Sequence, residues 1–385
     1  MDTLDSYRKA IQKEFGTQAE VFLFWKGRVA LYSILRAIGV GEGDEVIVPG
    51  YTCVVVPNAV LYTGGTPVYV DVEKDTYTLT AERIRPLITP RTKAIIAQNT
   101  YGLSADLDSI LALAKELDIE VIDDCTHGFG GCYKGALNGS KTKAAFFSTQ
   151  WNKPYSTGIG GFAVINDIEL SKKISAAQTE LVQPGFKEVL SLRLMHFARK
   201  KLLTESTYWT LVKLYRWLSA RNLVTGSSQG EELTSPKMPA GFSKAHSTFQ
   251  ANVGLKEISK WKTDAAFRKS IAIKYNEVLI SLGKQVPVQP EYADHLFLKY
   301  PILVSDRSLF MKLAETSKIR LGDWFISPLH PIVGDLSAWG YTFGSCPNAE
   351  FLADRVVNLP TDPDLSETEL NGVIQLLKDR SDLIL

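Results

Sequence analysis

Three side chains of this sequence have the types and spacing that chemistry on a carbonyl compound requires. Lys153 lies in a turn rich in small residues, five positions after Ser148, and Asp124 ends an apolar run that begins at Val121. A lysine amine can form a Schiff base with an aldehyde, and a buried acid can keep a pyridine nitrogen protonated. Pyridoxal phosphate (PLP) needs this pairing, so the sequence predicts a PLP site with Lys153 as the attachment point.

The surroundings of the acid leave a choice open. Asp123 precedes Asp124, and only one of them can face a bound ring because adjacent residues of a strand point to opposite sides. A helix N-cap is the ordinary alternative for Asp124, as a solvated surface charge is for Lys153. His127 follows three residues after the acid, and its imidazole can contact the ring. We predict that Lys153, Asp124 and His127 are catalytic, with Lys153 moving the substrate proton.

A phosphate-binding helix start is predicted at Gly27. Gly27, Arg28 and Val29 open a helical pattern directly after an apolar stretch, and the N–H groups of a helix start attract phosphate. Many helices begin in this way, so the pattern alone is weak. Ser148 could add a hydroxyl group to the same phosphate. No G-x-G-x-x-G motif follows the first strand, which argues against a nicotinamide-dependent dehydrogenase.

The elements that must position these residues alternate between apolar strands and amphipathic helices in the first part of the chain. This alternation predicts an α/β domain with a mostly parallel central sheet, and in such sheets ligands collect where strands end. The middle differs: residues 168–221 are predicted to be almost wholly helical, and residues 225–240 to form a loop.

The remaining residues predict a smaller α+β domain. One long helix is expected from Thr248 to Tyr275, followed by strands at 296–303 and 319–326. A closing helix from Ser366 carries Glu369 as the candidate partner in a capping box. The predicted domain boundaries are 1–255 for a large PLP-binding domain, with a helical insertion at about 180–240, and 256–385 for the small C-terminal domain.

Composition limits the classes of function. The chain has 385 residues, 43 Lys and Arg against 42 Asp and Glu, and 45% hydrophobic residues. This balance gives no bulk attraction to nucleic acid, so no nucleic-acid partner is expected. The cysteines form no CxxC pair, which is typical of a reduced, cytoplasmic protein. The N-terminal segment reads as an amphipathic helix rather than a signal peptide, and no apolar run is long enough to span a membrane.

Residues 187–221 form a basic segment with interleaved aromatic residues. They contain eight Lys and Arg against two acids, Glu188 and Glu205. The ordinary interpretation is a helical hairpin that covers the pocket or extends a dimer. The alternative is a basic amphipathic face that makes a peripheral membrane contact or holds a lipid-linked or diphosphate substrate.

Several short segments together resemble the DegT/DnrJ/EryC1/StrS aminotransferases, a family of fold-type-I PLP enzymes. They include Asp123-Asp124, Gly160-Gly161 and the segments GEGDEVIVP at 41–49, GTPVYVDV at 65–72, PRTKAI at 90–95, YG at 101–102, ADLD at 105–108, FSTQWNK at 147–153, PLH at 328–330 and NLP at 358–360. The resemblance runs through most of the chain.

The resemblance implies the PLP-dependent transferase fold of type I and a homodimer with active sites at the subunit interface. It implies that Lys153 binds PLP covalently and that Asp124 pairs with the pyridinium nitrogen. It also implies that Ser148 and the backbone of Arg28 and Val29 bind the phosphate.

This chain departs from the family pattern at several site positions. Lys26-Gly27-Arg28 stands where the family has Ser-Gly-Thr, so the backbone donors remain and a guanidinium replaces a hydroxyl group. Cys53 stands where the family places an aromatic residue over the cofactor, and Tyr51 could replace that residue. Ser243 aligns with an asparagine that reaches the partner subunit's phosphate, and Asn99 stands where a histidine is common.

The predicted function is a PLP-dependent aminotransferase. It would move an amino group from an amino acid, with glutamate as the expected donor, to a keto group of a nucleotide-linked sugar. Asn99, Tyr101 and His330 are candidates for substrate binding, and no metal is expected. Three alternatives remain: a deoxysugar dehydratase, against which Lys153 argues because such relatives carry histidine there; a PLP-fold protein with another substrate; and a non-catalytic sensor or scaffold.

Overall fold

The structure is a computed structural model that describes residues 2–202, 207, 210–211 and 231–385. The strands of this part are β1 (Glu20–Phe24), β2 (Glu45–Pro49), β3 (Thr52–Cys53), β4 (Thr66–Val70), β5 (Thr92–Gln98), β6 (Glu120–Asp124), β7 (Cys132–Tyr133), β8 (Ala136–Leu137), β9 (Ala144–Ser148), β10 (Gly161–Ile165), β11 (Ala293–Asp294), β12 (Tyr300–Leu303), β13 (Leu329–His330) and β14 (Val356–Leu359).

A mostly parallel sheet forms the centre, with the strand order β1-β10-β9-β6-β5-β2-β4. Pairing is parallel from β4 through to β9, whereas β10 runs antiparallel to both of its neighbours. Strands β2 and β10 are buried along their whole length, as expected for a sheet covered on both faces. The predicted α/β fold with a mostly parallel sheet is confirmed. The carboxyl ends of β2, β5, β6 and β9 therefore share one edge.

Helices cover both faces of this sheet. Ile47 and Ile95 pack into one buried cluster, while their neighbours Val46 and Ile96 pack into another on the opposite face. The helices of the described residues are α1 (Thr3–Phe15), α2 (Gly27–Ala37), α3 (Val55–Thr63), α4 (Ala81–Ile84), α5 (Leu107–Glu116), α6 (Ile168–Gln178), α7 (Phe186–Leu202), α8 (Glu231–Thr234), α9 (Thr248–Ile258), α10 (Trp261–Ser281), α11 (Arg307–Thr316), α12 (Pro347–Arg355) and α13 (Glu367–Asp379).

The C-terminal part contains a second buried cluster around the antiparallel pair β12–β14. Helices α10, α11 and α13 supply its apolar residues. Helix α13 begins with a capping box in which Ser366 and Glu369 bond each other's backbone, as the sequence predicted. The boundary between residues 1–255 and 256–385 stays a prediction, since another cluster combines Ile47 and Tyr101 with Trp339 and Leu352.

A short parallel pair carries the C-terminal part back to the central sheet. Leu329 pairs with Thr52, and His330 pairs with Cys53. Because Cys53 follows the carboxyl end of β2, this pairing brings His330 to the same edge of the sheet as the ends of the parallel strands.

Two predicted elements in the C-terminal part were wrong. The expected helix from Thr248 to Tyr275 is two helices, because Ser259 ends the first and α10 starts at Trp261. The strand expected at 296–303 begins only at Tyr300, because Phe297 has a φ of 54°, in the left-handed region that a strand cannot use.

Two further predictions also needed correction. The strand expected at 319–326 is reduced to a bridge between Gly322 and Asn358, because the rings of Trp324 and Phe325 stack on His127 instead of alternating along a ladder. The loop expected at 225–240 contains the helical turn α8, while residues 225–230 lie outside the described residues.

The segment predicted to be almost wholly helical contains α6 and α7, separated by a non-helical stretch. Residues 203–206, 208–209 and 212–221 of that segment lie outside the described part. Among the described residues, none of the helices has the length and apolarity needed to cross a membrane.

Helix α1 holds the chain near Lys153 through a buried tyrosine pair. Tyr7 and Tyr155 share a hydrogen bond of 2.8 Å between their hydroxyl groups. The Tyr7 ring packs where α9 has no side chain, since a Cβ atom on Gly254 would lie 2.4 Å from Cε2 and Cζ of Tyr7. Glycine at this position therefore allows α1 and α9 to approach.

We expect Gly254→Ala to lower the free energy of unfolding by about 1–3 kcal/mol, because the added methyl group must displace a buried ring. Gly372→Ala in α13 is the matched control: its Cβ would meet Ile319 at an ordinary 3.6 Å, so we expect a gain of about 0.5–1 kcal/mol. Urea unfolding curves of both variants check this. A Gly254→Ala protein that is stabilised as much as the control would contradict the proposed packing.

Candidate active site

A pocket lies at the edge where the parallel strands end. The space between its walls, together with the solvent at its open mouth, amounts to about 870 Å³. Its walls come from the start of α2, the ends of β5, β6 and β9, and the segment 324–331. The lining residues are Gly27, Arg28, Thr52, Cys53, Val55, Val56, Gln98, Asp124, Thr126, His127, Phe146, Ser148, Gln150, Lys153, Trp324, Phe325, His330 and Pro331.

Lys153 is held in a turn that leaves β9 and returns to β10. Its amide donates to the carbonyl of Gln150 at 3.2 Å. The preceding residue, Asn152, has a φ of 65°, a left-handed conformation that asparagine tolerates better than most residues. The hydroxyl groups of Thr149 and Thr157 join the two ends of the turn at 2.7 Å. The lysine side chain therefore projects into the pocket from a tightly bonded loop.

Burial sets the charge of Lys153. Removal from water disfavours the ammonium form and lowers the pKa of Lys153 to about 8, although the nearby Cys53 and Asp124 oppose the shift. The Lys153 Nζ lies 4.6 Å from the centroid of the Trp324 ring. A larger fraction of this amine is neutral, and therefore nucleophilic, near pH 8 than for an ordinary lysine.

The two adjacent aspartates face different surroundings. Asp123 accepts from the Asn99 side chain through Oδ1 and from the Gly139 amide through Oδ2, both at 2.8 Å. Asp124 lines the pocket and accepts from the amide of Thr126 at 2.9 Å. Burial raises the pKa of each carboxyl group to about 6. Asp124 is thus the carboxyl group of this pair that can meet a ligand.

His127 presents one face and one nitrogen to the pocket. Its Nδ1 accepts the backbone N–H of Tyr101 at 3.2 Å, so the neutral ring carries its proton on Nε2. Burial, together with the charge of Lys153, keeps the pKa of His127 well below its usual value. The ring lies nearly parallel to Trp324, with centroids 5.0 Å apart. A neutral, flat, hydrogen-bond-donating side chain therefore stands beside Asp124.

The start of α2 packs against the end of β9 with no room for side chains. A Cβ on Gly27 would lie 2.8 Å from the Phe147 carbonyl oxygen, and one on Gly161 would lie 2.2 Å from the Gly27 nitrogen. The side chain of the N-cap residue, Lys26, makes no capping hydrogen bond to this helix. The amide of Val29 donates to the Lys26 carbonyl at 3.1 Å, so the predicted phosphate donors are better placed at Gly27 and Arg28 than at Val29.

A buried acid neutralises the charge at this helix start. The Arg28 guanidinium lies 2.6 Å from Oε2 of Glu232 in α8, and Lys26 Nζ lies 3.6 Å from the same oxygen. Burial alone would raise the pKa of Glu232, but the charges of Arg28 and Lys26 hold it below its usual range. Sequence analysis missed Glu232, since it lies in a stretch with the composition of a loop.

Other predicted residues divide into those that line the pocket and those that do not. Cys53, Ser148 and His330 line it, and burial raises the pKa of the Cys53 thiol and lowers the pKa of His330 to about 4. Gln98 and Thr52 were missed; their side chains bond each other at 2.5 Å. Gln98 could have been predicted from the sequence, because it lies at the end of a strand of the parallel sheet.

Besides Val29, four predicted residues do not line the pocket. Tyr51 and Tyr101 are completely buried, and their hydroxyl groups bond each other at 2.7 Å, with Tyr101 also donating to the Trp324 carbonyl. Asn99 supports Asp123, as described above. Ser243 accepts the amide of Val182 through its backbone carbonyl. Within a single chain, Tyr51, Tyr101 and Asn99 therefore lie behind the residues that line the pocket, and their roles toward a ligand stay predictions.

Comparison with known proteins identifies the family. The sequence model of the DegT/DnrJ/EryC1/StrS aminotransferase family matches residues 5–378. This chain belongs to the DegT/DnrJ/EryC1/StrS aminotransferase family. As a member of that family it is an enzyme of the aminotransferase class.

Individual relatives cover nearly the same length. The GDP-perosamine synthase of Caulobacter vibrioides is 28% identical, over 91% of this chain and 83% of its own. The UDP-N-acetyl-3-dehydro-α-D-glucosamine 3-aminotransferase of Acidithiobacillus ferrooxidans is 29% identical, over 91% and 82%. Among solved structures, NtdA from Bacillus subtilis, with bound cofactor PMP, has a TM-score of 0.73 at 22% identity, over 98% of this chain and 77% of its own. The structural likeness supports the fold.

The raised pKa of Asp124 predicts that one substitution changes stability in a pH-dependent way. Folding raises this pKa from 3.8 to about 6, so the carboxyl group contributes stability below pH 4 that is lost as the pH rises to about 6. We expect Asp124→Asn to raise the free energy of unfolding of the cofactor-free protein at pH 7 by about 1–3 kcal/mol, with little change at pH 4.

Asp123→Asn is the matched comparison, at an equally buried neighbour. Both oxygens of Asp123 accept from N–H groups, so an amide group would set a donor against a donor and lower stability by about 1–3 kcal/mol. Thermal unfolding between pH 4 and pH 8 checks both variants. Equal destabilisation by the two substitutions would contradict the assigned environments.

Proposed function

We propose that this enzyme uses PLP to move an amino group from an amino acid to a keto group of a nucleotide-linked sugar. One observation carries the proposal: the Lys153 amine, with a pKa lowered to about 8, shares a pocket with the buried Asp124 carboxyl group, in a chain of an aminotransferase family. The names of the two relatives, and the PMP in NtdA, which is the amine form of PLP, agree with it.

The residues of the pocket fit PLP from one end to the other. At one end, the uncapped start of α2, with the Ser148 hydroxyl group beside it, suits a phosphate. At the other, Asp124 has a pKa of about 6 because it is buried without a strong cationic partner. A protonated pyridine nitrogen would supply that partner and stabilise the charged form of Asp124. The rings of His127 and Trp324, which stack nearly parallel on each other, both line the pocket and offer it flat aromatic surface.

PLP, when bound, would supply the electron sink that stabilises negative charge on the substrate carbon. Lys153 would bind the cofactor covalently through Nζ and, when its amine is free and neutral, would accept and return the substrate proton. Asp124 would hold a proton on the ring nitrogen by charge attraction. His127 would donate from Nε2 and orient the ring, and His330 would contact the substrate from the opposite wall.

We also propose that the enzyme is a homodimer whose partner subunit completes the site. Ser243 does not reach the pocket of its own chain, and the pocket is open on one side, which agrees with a role for Ser243 at the partner subunit's phosphate. Light scattering should give the mass of two chains. A monomeric mass at the concentration used for activity assays would contradict this assignment.

The covalent attachment is tested by chemical reduction. We expect that borohydride treatment of the PLP-loaded enzyme places a stable pyridoxyl phosphate group on Lys153, located by mass spectrometry of peptides. Lys153→Arg, which keeps the positive charge, should lose the label and at least about 10³-fold in amine transfer, since it removes the nucleophile and proton carrier. Lys299→Arg is the matched control, because Lys299 also faces the Trp324 ring, at 5.8 Å, and should stay labelled at Lys153.

The substrate assignment needs a separate measurement. Glutamate and other amino donors should convert the absorbance of the PLP form to that of the amine form, and a nucleotide-linked keto sugar should reverse the change. Labelling of Lys153 without spectral change for any donor would favour a non-catalytic sensor or scaffold. Loss of water from a deoxysugar, with no amine transfer, would favour the dehydratase.

A further inference from the structure

Helix α7 has an exposed apolar face. Phe186, Leu190, Leu194 and Phe197 recur at intervals of four, four and three residues, so they lie along one side of the helix. All four are exposed, Phe186 by 80% and Leu194 by 61% of their surfaces. Scattered apolar residues at a surface are ordinary, whereas four in a continuous stripe mark a surface that binds something. We call these four residues the α7 stripe.

Basic side chains border the α7 stripe on both sides. At 100° per residue, Lys187 falls beside one edge of the stripe, Arg193 and Lys200 fall beside the other edge, and Lys201 follows the stripe one turn after Phe197. All four are exposed. The acid of this helix, Glu188, lies away from the stripe and is paired with Lys244 at 2.6 Å. The exposed side of α7 therefore combines an apolar stripe with charged residues that are all cationic.

The opposite side of α7 is fixed to the protein. Leu192 is completely buried in a cluster with Trp25 and Ile159. This anchoring means that the stripe is presented by a packed helix and not by a free one.

The fixed side of α7 also touches the lysine turn. The Arg199 guanidinium donates to Oδ1 of Asn152 at 3.0 Å and lies 5.3 Å from the centre of the Trp151 ring. Asn152 directly precedes Lys153. A surface that binds the stripe would therefore be separated from the lysine turn by the thickness of helix α7.

We propose that the α7 stripe and its basic border dock onto an anionic lipid surface. A helix lying in a membrane interface has an apolar face that enters the acyl boundary and cationic side chains that meet the head groups. The charge complementarity favours this occupant over a second copy of the chain, because two copies of a face bordered by four cations would repel each other. The docking does not depend on the reaction proposed above.

The test is co-sedimentation of the full chain with vesicles. We expect the protein to sediment with vesicles that contain phosphatidylglycerol in phosphatidylcholine, to stay in the supernatant with phosphatidylcholine alone, and to be released by high salt. Leu194→Glu should weaken binding by at least about tenfold, since it places a charge in the inserted face. Lys200→Gln should weaken it roughly fivefold through loss of one charge near the surface.

Ile280→Glu is the matched control. Ile280 lies in α10, and its surface is exposed by 64%, close to the value for Leu194. The same apolar-to-acid change at this position should leave vesicle binding unchanged. Amine transfer and thermal unfolding of each variant, measured without vesicles, check that the fold is retained, since all three positions are on the surface.

Three outcomes would overturn the proposal. The first is an equal supernatant fraction with and without phosphatidylglycerol. The second is equal vesicle binding by Leu194→Glu and the unsubstituted chain. The third is a change in mass by light scattering for Leu194→Glu in the absence of lipid, which would assign the stripe to contact between copies of the chain. Failure of PLP binding would overturn the proposed function and leave vesicle binding untouched, so the two proposals fail separately.

Discussion

The burial of a lysine amine and a carboxyl group in one pocket is the constraint on which this structure depends. The pKa of each group shifts toward the neutral form there, because removal from water costs more than the attraction between them returns. The pKa of Lys153 falls to about 8 and that of Asp124 rises to about 6. The pocket therefore disfavours the charged form of each group, and a ligand with an aldehyde and a protonated ring nitrogen would relieve both.

The fold maintains this arrangement through rigid backbone contacts. Strands β6 and β9 are parallel neighbours, so Asp124 and Ser148 end at the same edge. The close approach of Gly27 to Gly161 brings the α2 start to that edge as well. On the far side, the Tyr7–Tyr155 hydrogen bond steadies the lysine turn from α1. The strand pairing, the close packing of Gly27 and the tyrosine pair favour folding, and they offset the unfavourable free energy of the buried charged groups.

The sequence predicted the parts of the site that depend on strand ends. Asp124 and Ser148 follow apolar runs, and parallel strands must finish together, so their meeting could be foreseen. Trp324, which lines the pocket, and Glu232, which pairs with Arg28, could not, because they come from distant segments through tertiary contacts that leave no local pattern. Tyr51 and Tyr101 were predicted as ligand contacts; the structure shows that their hydroxyl groups bond each other inside the core, a pairing that the sequence pattern did not indicate.

Secondary structure likewise divides into elements that have a local sequence pattern and features that have none. Strong periodicity and a capping box located α13 correctly, whereas the break after Ile258 and the left-handed Phe297 are single-residue events that periodicity averages away. In α7 the sequence indicated a basic amphipathic segment, but only the packing of Leu192 establishes which side faces the protein.

A crystal structure of the enzyme grown with PLP would test the central claim most directly. We predict continuous density from Nζ of Lys153 to the cofactor, with the Asp124 carboxylate bonded to the ring nitrogen and the phosphate at the start of α2. Density that joins the cofactor to a different side chain, or a ring nitrogen that faces away from Asp124, would contradict the account.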